Sequence, residues 1–309
     1  MMFEKLLEEL GEKGIEISVV HGKLSYAGPE QYINEDLLNK LKENKGKLIR
    51  HFWPLKNSNL IPLNTEGNKV PLILVHGERG NYYYKDFLEP DQTFYGFLHL
   101  GSDGESVKYR TVEEFAKEYI RQLLVVVPKG PIYLGGFSFG GIIAFEMANQ
   151  LKQMGFEIIF LLLVDCVDPY YRRSILRKAT VREKLSHSIW GTNYPSLRSK
   201  IRLLRAKANI LAGRPVPVSQ RNFYILSNYS RAYTKYYPEK YDGKVILFRS
   251  KENEFDDRTL GWDKIVSDKV EVIDFEGDHL SIMEESECAR FFIKNILQKI
   301  AEVNNNSKS

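Results

Sequence analysis

Phe3, Leu6, Leu7 and Leu10 fall at i, i+3, i+4 and i+7, the spacing of a helix with one apolar face. Gly11 and Gly14 predict its end. Ile15-Glu16-Ile17-Ser18-Val19 alternates as a half-buried strand does. His21-Gly22 predicts a tight turn, and Leu24-Ser25-Tyr26 a second strand. Asn34 stands as the N-cap of a helix carrying Leu37, Leu38 and Leu41. Leu48, Ile49 and Phe52 continue an apolar face on a further helix. Pro54 and the cluster Lys56-Asn57-Ser58-Asn59 predict a linker, taken as 54–64. The chain therefore divides into a small head, 1–53, and a larger body, 65–302, with a polar tail at 303–309. A head of ~50 residues is only marginally stable alone.

In the body the pattern becomes one of buried strands alternating with amphipathic helices. Val70–Val75 is an apolar run ending at His76-Gly77. Thr111, with Glu114 three residues on, reads as a capping box. Pro131–Leu134 is a buried strand leading into Gly135-Gly136-Phe137-Ser138-Phe139-Gly140-Gly141, followed by a helix over Ile142–Met154. Ile158–Val164 is a central strand ending at Asp165. Lys244–Phe248 and Val270–Ile273 are late strands, and helical spacing returns over Cys288–Ile300. This alternation predicts an α/β fold with a mostly parallel sheet and helices on both faces.

Composition narrows the function. Among 309 residues, 43% hydrophobic and 27% charged content fits a globular protein. Two cysteines, Cys166 and Cys288, make no disulfide framework and no metal motif. The N-terminus lacks an export-signal pattern, and the apolar runs fall well short of the ~18 residues of a membrane span. The expectation is a cytoplasmic enzyme or binding protein with no membrane partner. The net charge of +4 conceals a segregation. Tyr170–Lys240 holds 16 Lys/Arg against 2 Asp/Glu, or +14, and the rest carries −10. Such a block attracts an acidic partner, or is simply a solvated helical face. Nucleic acid is not that partner, because the aromatic-basic sheet motifs and zinc spacings are missing.

Chemistry enters at Gly136-x-Ser138-x-Gly140, the nucleophile-elbow pattern. The turn is sharp enough to need glycines beside it. It lifts the hydroxyl above the sheet at a helix N-terminus, where backbone N–H groups favour developing negative charge. No Lys-Ser/Thr follows the glycines, which excludes a phosphate-binding loop. A serine needs a base. His279, in Glu276-Gly277-Asp278-His279, follows the last predicted strand, where the order Ser…Asp…His places the base. His76 ends an earlier strand and is read as shaping the loop beside the nucleophile. His21 and His51 lie in the head, and His99 and His187 lack a strand-end context. Asp165, at the end of the strand after the elbow helix, is the favoured acid, with Asp168 a rival. Glu252, Asp256 and Asp257 occupy the loop from which many members of the fold take the acid. Asp278 adjoins the base itself.

Two resemblances extend this reading. The head, through Leu6-Leu7-x-x-Leu10, Gly14-Ile15-x-Ile17, Gly22-x-Leu24 and Lys45-x-x-Leu48-Ile49, resembles the N-terminal docking domains of polyketide/nonribosomal peptide assembly lines of the tubulysin-synthetase type. That implies a helix, a hairpin and two helices that capture the C-terminal tail of an upstream synthetase subunit. The body resembles the thioesterase domains that end nonribosomal peptide and polyketide synthases. The carriers are His76-Gly77-Glu78-Arg79-Gly80, Gly136–Gly141, Ala144-Phe145-Glu146-Met147-Ala148, Leu163-Val164-Asp165, Tyr237-Pro238-x-x-Tyr241-x-Gly243, Gly261-Trp262 and Gly277-Asp278-His279-x-Ser281-x-Met283.

This second resemblance implies an α/β-hydrolase with a lid at about 170–235, and a triad of Ser138, Asp165 and His279. It implies an oxyanion hole from the backbone N–H groups of Phe139 and Glu78. Glu78 departs from the small or apolar residue usual there. No metal or separate cofactor is implied: the substrate arrives on the 4'-phosphopantetheine arm of a carrier protein, and the basic lid offers it a landing surface. Three roles remain open at this point: chain release by hydrolysis or cyclisation, proofreading of misacylated carriers, and a non-catalytic docking adaptor.

Overall fold

The structure, a computed structural model, describes residues 2–20, 23–53, 58–76, 84, 87–178 and 197–306. In the head, α1 (Met2–Glu12) precedes the strands β1 (Glu16–Val20) and β2 (Lys23–Ala27), which pair antiparallel. Helices α2 (Glu35–Glu43) and α3 (Lys45–His51) follow. The Asn34 side chain caps α2 by accepting the Leu37 N–H at 3.0 Å. Leu6, Leu10, Ile15, Leu37, Leu41 and Leu48 form a small core of the head's own. The turn expected at His21-Gly22 lies outside the described residues.

The body is built on a seven-stranded sheet of order β3-β5-β4-β6-β7-β8-β9. Its strands are β3 (Leu60–Asn64), β4 (Leu72–Val75), β5 (Phe94–Phe97), β6 (Ile132–Phe137), β7 (Ile158–Val164), β8 (Val245–Ser250) and β9 (Glu271–Phe275). The strands β5 to β9 pair parallel, and β3 joins the edge antiparallel to β5. This is the α/β-hydrolase arrangement that the resemblance implies. The strand β3 lies within the stretch read as linker. Its Pro62 donates no backbone hydrogen bond and is tolerated because the strand is at an edge. Of that stretch, 54–57 lie outside the described residues.

Burial on both faces explains the unbroken apolar runs of the central strands. Ile73, Val75, Ile132, Leu134, Leu161 and Leu163 face α4 (Val112–Val126) and α5 (Phe139–Gln153). Leu72, Leu74, Tyr133, Phe160, Leu162 and Val164 face α10 (Ser286–Asn306), which follows the short α9 (Ser281–Glu284). Each large side chain buried in this way stabilises the fold by about 1.5–3 kcal/mol. The capping box at α4 is formed in both directions between Thr111 and Glu114. Between β7 and β8 the chain leaves the sheet as α6 (Pro169–Lys178), α7 (Leu197–Leu211) and α8 (Val218–Lys235), in the place expected of the lid. Val19, Ile49 and Trp53 of the head join the core of the body, with Trp53 stacked on Tyr95 at 5.9 Å.

Candidate active site

The strand β6 ends in the glycine-rich turn and passes directly into α5. Ser138 occupies the turn at φ 53°, ψ −120°, a conformation rare for a residue with a Cβ. The flanking glycines are required by space. A Cβ on Gly136 would lie 2.2 Å from the Gly140 carbonyl oxygen, and one on Gly140 2.2 Å from that of Val75. The Ser138 N–H donates to the Val164 carbonyl at 2.8 Å, which ties the elbow to β7. Phe139 is the first residue of α5. Glu78, the other oxyanion-hole residue that the resemblance implies, lies outside the described residues.

Three side chains distant in sequence meet above the ends of β6, β7 and β9. Ser138 Oγ is 3.0 Å from His279 Nε2, and His279 Nδ1 is 2.7 Å from Asp165 Oδ2. With Asp165 ionised, Nδ1–H donates to it, and Nε2 is left as an acceptor facing the serine. The Asp165 side chain is 4% exposed and that of His279 37%, so the carboxylate is shielded and the imidazole reachable. The Phe137 ring lies tilted against the imidazole, 4.6 Å between centroids. The other oxygen of Asp165, Oδ1, accepts the Ser250 N–H at 3.1 Å and an Asn253 Nδ2–H at 2.8 Å. The Ser250 hydroxyl donates to the Gly277 carbonyl at 2.6 Å, so the turn after β8 also holds the loop bearing His279.

The other candidate carboxylates make different contacts. Asp168 caps α6 through the Tyr171 N–H at 2.7 Å, and burial pushes its carboxyl up to about 6. Asp278 stands just before α9, accepting the Leu280 N–H at 2.8 Å and the Ser281 N–H at 3.0 Å. These contacts, the Leu280 N–H foremost, lower its carboxyl below the usual range. Asp257 accepts from Thr259, and Glu252 and Asp256 are exposed.

His76 does stand beside the elbow, and the structure adds a network around it that sequence reasoning missed. Its Nε2 is 2.9 Å from Tyr119 Oη and 3.2 Å from Tyr229 Oη, and Tyr229 Oη is 2.9 Å from His99 Nδ1. The two imidazoles lie 4.0 Å apart between centroids. Burial drives His76 well below the ordinary histidine range, and His99 down to about 4, so both are neutral near pH 7. Tyr229 comes from α8, and this network fastens α8 to the end of β4. His21 and His187 lie outside the described residues, and His51 packs on Phe3 and Phe52 in the head.

No helix among the described residues is long and apolar enough to cross a membrane. Comparison with known proteins assigns the family. The thioesterase-domain family matches residues 85–300, and the TubC N-terminal docking domain matches residues 4–53. The dimodular nonribosomal peptide synthase of Bacillus subtilis (strain 168) is 28% identical over 263 residues, 79% of this chain and 11% of that protein. Malpibaldin synthetase of Mortierella alpina is 26% identical over 250 residues, 78% of this chain and 4% of that protein. The chain thus spans a small part of the synthetases it matches. Among solved structures, a four-domain nonribosomal peptide synthetase bound to AMP and glycine superposes with a TM-score of 0.59 at 26% identity, covering 82% of this chain and 21% of that one. The NocB thioesterase domain, in covalent complex with a fluorophosphonate nocardicin G analog, shares the fold with a TM-score of 0.57 at 24% identity, covering 79% and 100%. The chain belongs to the thioesterase-domain family of nonribosomal peptide and polyketide synthases, and it carries a TubC-type docking domain at its N-terminus.

Proposed function

We propose that this protein is a serine thioesterase that releases an acyl, peptidyl or polyketide chain from the phosphopantetheine thioester of a carrier protein. The observation that carries the proposal is the unbroken chain from Ser138 Oγ through His279 to Asp165, with links of 3.0 and 2.7 Å. His279 Nε2 takes the Ser138 proton as Oγ attacks the thioester carbonyl. The N–H groups of Phe139 and Glu78 hold the tetrahedral oxyanion. As the carbon–sulfur bond breaks, His279 returns the proton to the departing thiol, leaving an acyl-serine. His279 then activates water, giving a free acid, or a nucleophile within the chain, giving a ring. Asp165 holds the imidazole in the tautomer this needs and stabilises its charged form.

The head supports a role in an assembly line. A docking segment captures the C-terminal tail of an upstream synthetase subunit, and the β1–β2 hairpin offers an edge for an added strand. Such a recruitment element fits release better than general proofreading of carriers, which needs no fixed neighbour. The decisive experiment compares the full chain with Ser138→Ala. The variant is expected to keep the native melting temperature, to form no acyl-enzyme detectable by intact mass, and to resist a fluorophosphonate. Turnover retained in Ser138→Ala rejects the mechanism. Binding of C-terminal peptides from neighbouring synthetase subunits to the full chain separates release from proofreading, which predicts none.

A further inference from the structure

The acid of the triad is held by more than its own strand. Asp165 Oδ1 lies against the end of β8 and the turn that follows it, where Ser250 N–H and Asn253 Nδ2–H both donate to it, at 3.1 and 2.8 Å. Asn253 is in turn fixed at both ends. Its side-chain carbonyl accepts the Phe255 N–H at 3.1 Å, and its own N–H donates to the Ser250 carbonyl at 3.1 Å. The amide is therefore oriented, with nitrogen toward the carboxylate and oxygen toward the backbone. A carboxylate that accepts two N–H groups on Oδ1 presents Oδ2, at 2.7 Å, to the imidazole. Rotation of the carboxyl about its Cβ–Cγ bond would break both donors at once.

We propose that Asn253 is a positioning residue of this active site, a neutral donor that locks the Asp165 carboxylate in the rotamer that faces His279. The proposal rests on the triad reading above. Neutrality matters as much as the donor. A carboxylate at this position would stand within hydrogen-bond distance of another, and the pair would hold a shared proton. While that proton is bound, the substituted side chain still donates. Once it is lost, two like charges push Asp165 away from the imidazole. The same turn carries Lys251, Glu252 and Glu254, all exposed, with Lys251 paired to Glu276 on the loop before His279. His279 is the imidazole partner of Asp165 on the facing loop, with Nδ1 at 2.7 Å from Oδ2.

The test is the rate of phosphonylation of Ser138 by an alkyl fluorophosphonate, followed by intact mass from about pH 5 to 10 on the full chain. Removal of a hydrogen bond to a charged group predicts that Asn253→Ala labels about ten- to a hundredfold more slowly than the native protein. Asn253→Asp is expected to label at close to the native rate at the low-pH end and to fall progressively below it as pH rises, adding a descending limb that the native protein lacks. Two results overturn the proposal. One is labelling of both variants within twofold of native with the native pH profile. The other is a uniform slowing of Asn253→Asp at every pH, the mark of a turn that is only structural. If Asn253→Asp does not fold, as judged by thermal melting, the rate of Asn253→Ala decides alone. Labelling that persists in Ser138→Ala identifies a failure of the triad reading and not of the role of Asn253.

Discussion

Three of the four non-glycine residues with positive φ among the described residues are His76 (63°), Ser138 (53°) and Asp165 (42°). They follow or end the adjacent strands β4, β6 and β7. Each such conformation costs on the order of 1–3 kcal/mol, and the packed sheet beneath them bears that cost. Strain concentrates where the chain must turn sharply off a strand to present a side chain. Asp168, three residues past Asp165, shows a different cost. Its side chain is fully buried, and burial raises its carboxyl from the ordinary aspartate range to about 6. Because the folded value lies above the unfolded one, folding favours the protonated form. The associated stability is complete below about pH 4 and is lost as pH rises through about 6. Asp168→Asn keeps an oxygen to cap α6 and removes the titration. It is expected to match the native protein near pH 4 and to exceed it by about 1–3 kcal/mol near pH 7. Denaturant titrations at the two pH values measure this, and equal offsets at both would refute it.

At the scale of elements, legibility followed length and apolar continuity. The strand β7 was readable to its ends because Ile158–Val164 has no polar interruption. The strands β3 and β5 were not. The first is five residues with Pro62 at its centre, and the second is four residues containing Gly96, so neither has the unbroken apolar signal of the inner strands. The lid was placed by resemblance, since the spacing of its helices does not distinguish lid from core. In the site, Ser138 and His279 stood out through local pattern. Asp165 had rivals that local pattern does not separate from it, and in three dimensions it is Asp165 that lies 2.7 Å from His279. Asn253 and the His76–His99–Tyr229 network left no local trace, because the hydrogen bonds from Asn253 to Asp165 and from the two histidines to Tyr229 join residues 88 to 153 apart in sequence.

The seam between head and body was equally invisible, yet it is specific. Trp53 stacks on Tyr95, and its indole N–H donates to the Leu60 carbonyl at 3.2 Å. Lys45 donates to the Glu66 carbonyl at 3.0 Å. A head with so small a core gains from sharing a larger one. Trp53→Ala is expected to cost about 3–5 kcal/mol and to make the head melt before the body. Hydrogen exchange across residues 2–53 reads this out, and a single transition retained at native temperature contradicts it.

Across the whole molecule, positive charge is concentrated in the segment between β7 and β8, where the proposed function would bring a carrier-bound substrate. From Leu197 to Pro238 the lid contains no acidic residue, while Lys200, Arg202, Arg205 and Lys207 line α7. Part of this charge is structural. Arg221 donates to the Val216 and Ser102 carbonyls at 2.8 Å, and Arg173 lies 4.1 Å from the Tyr237 ring centroid while holding the Tyr236 carbonyl. The charge on α7 is largely exposed, and Leu204 and Leu211 beside it are 66% and 89% exposed. A field of this kind accelerates the encounter with an acidic macromolecule and is screened over ~10 Å at 0.1 M salt. A small neutral thioester feels no such attraction. Raising ionic strength from about 0.05 to 0.5 M is therefore expected to lower kcat/KM for an acyl chain on an acidic carrier domain by about tenfold or more. For the same chain on a short neutral thiol it should change less than twofold. The fall should appear in KM, with kcat for the bound chain preserved, because encounter and not chemistry is screened. Reversing Arg205 and Lys207 to Glu should remove most of the salt dependence. Equal salt sensitivity for the two substrates would mean that the basic lid is only a solvated surface, and that delivery depends on the docking head alone.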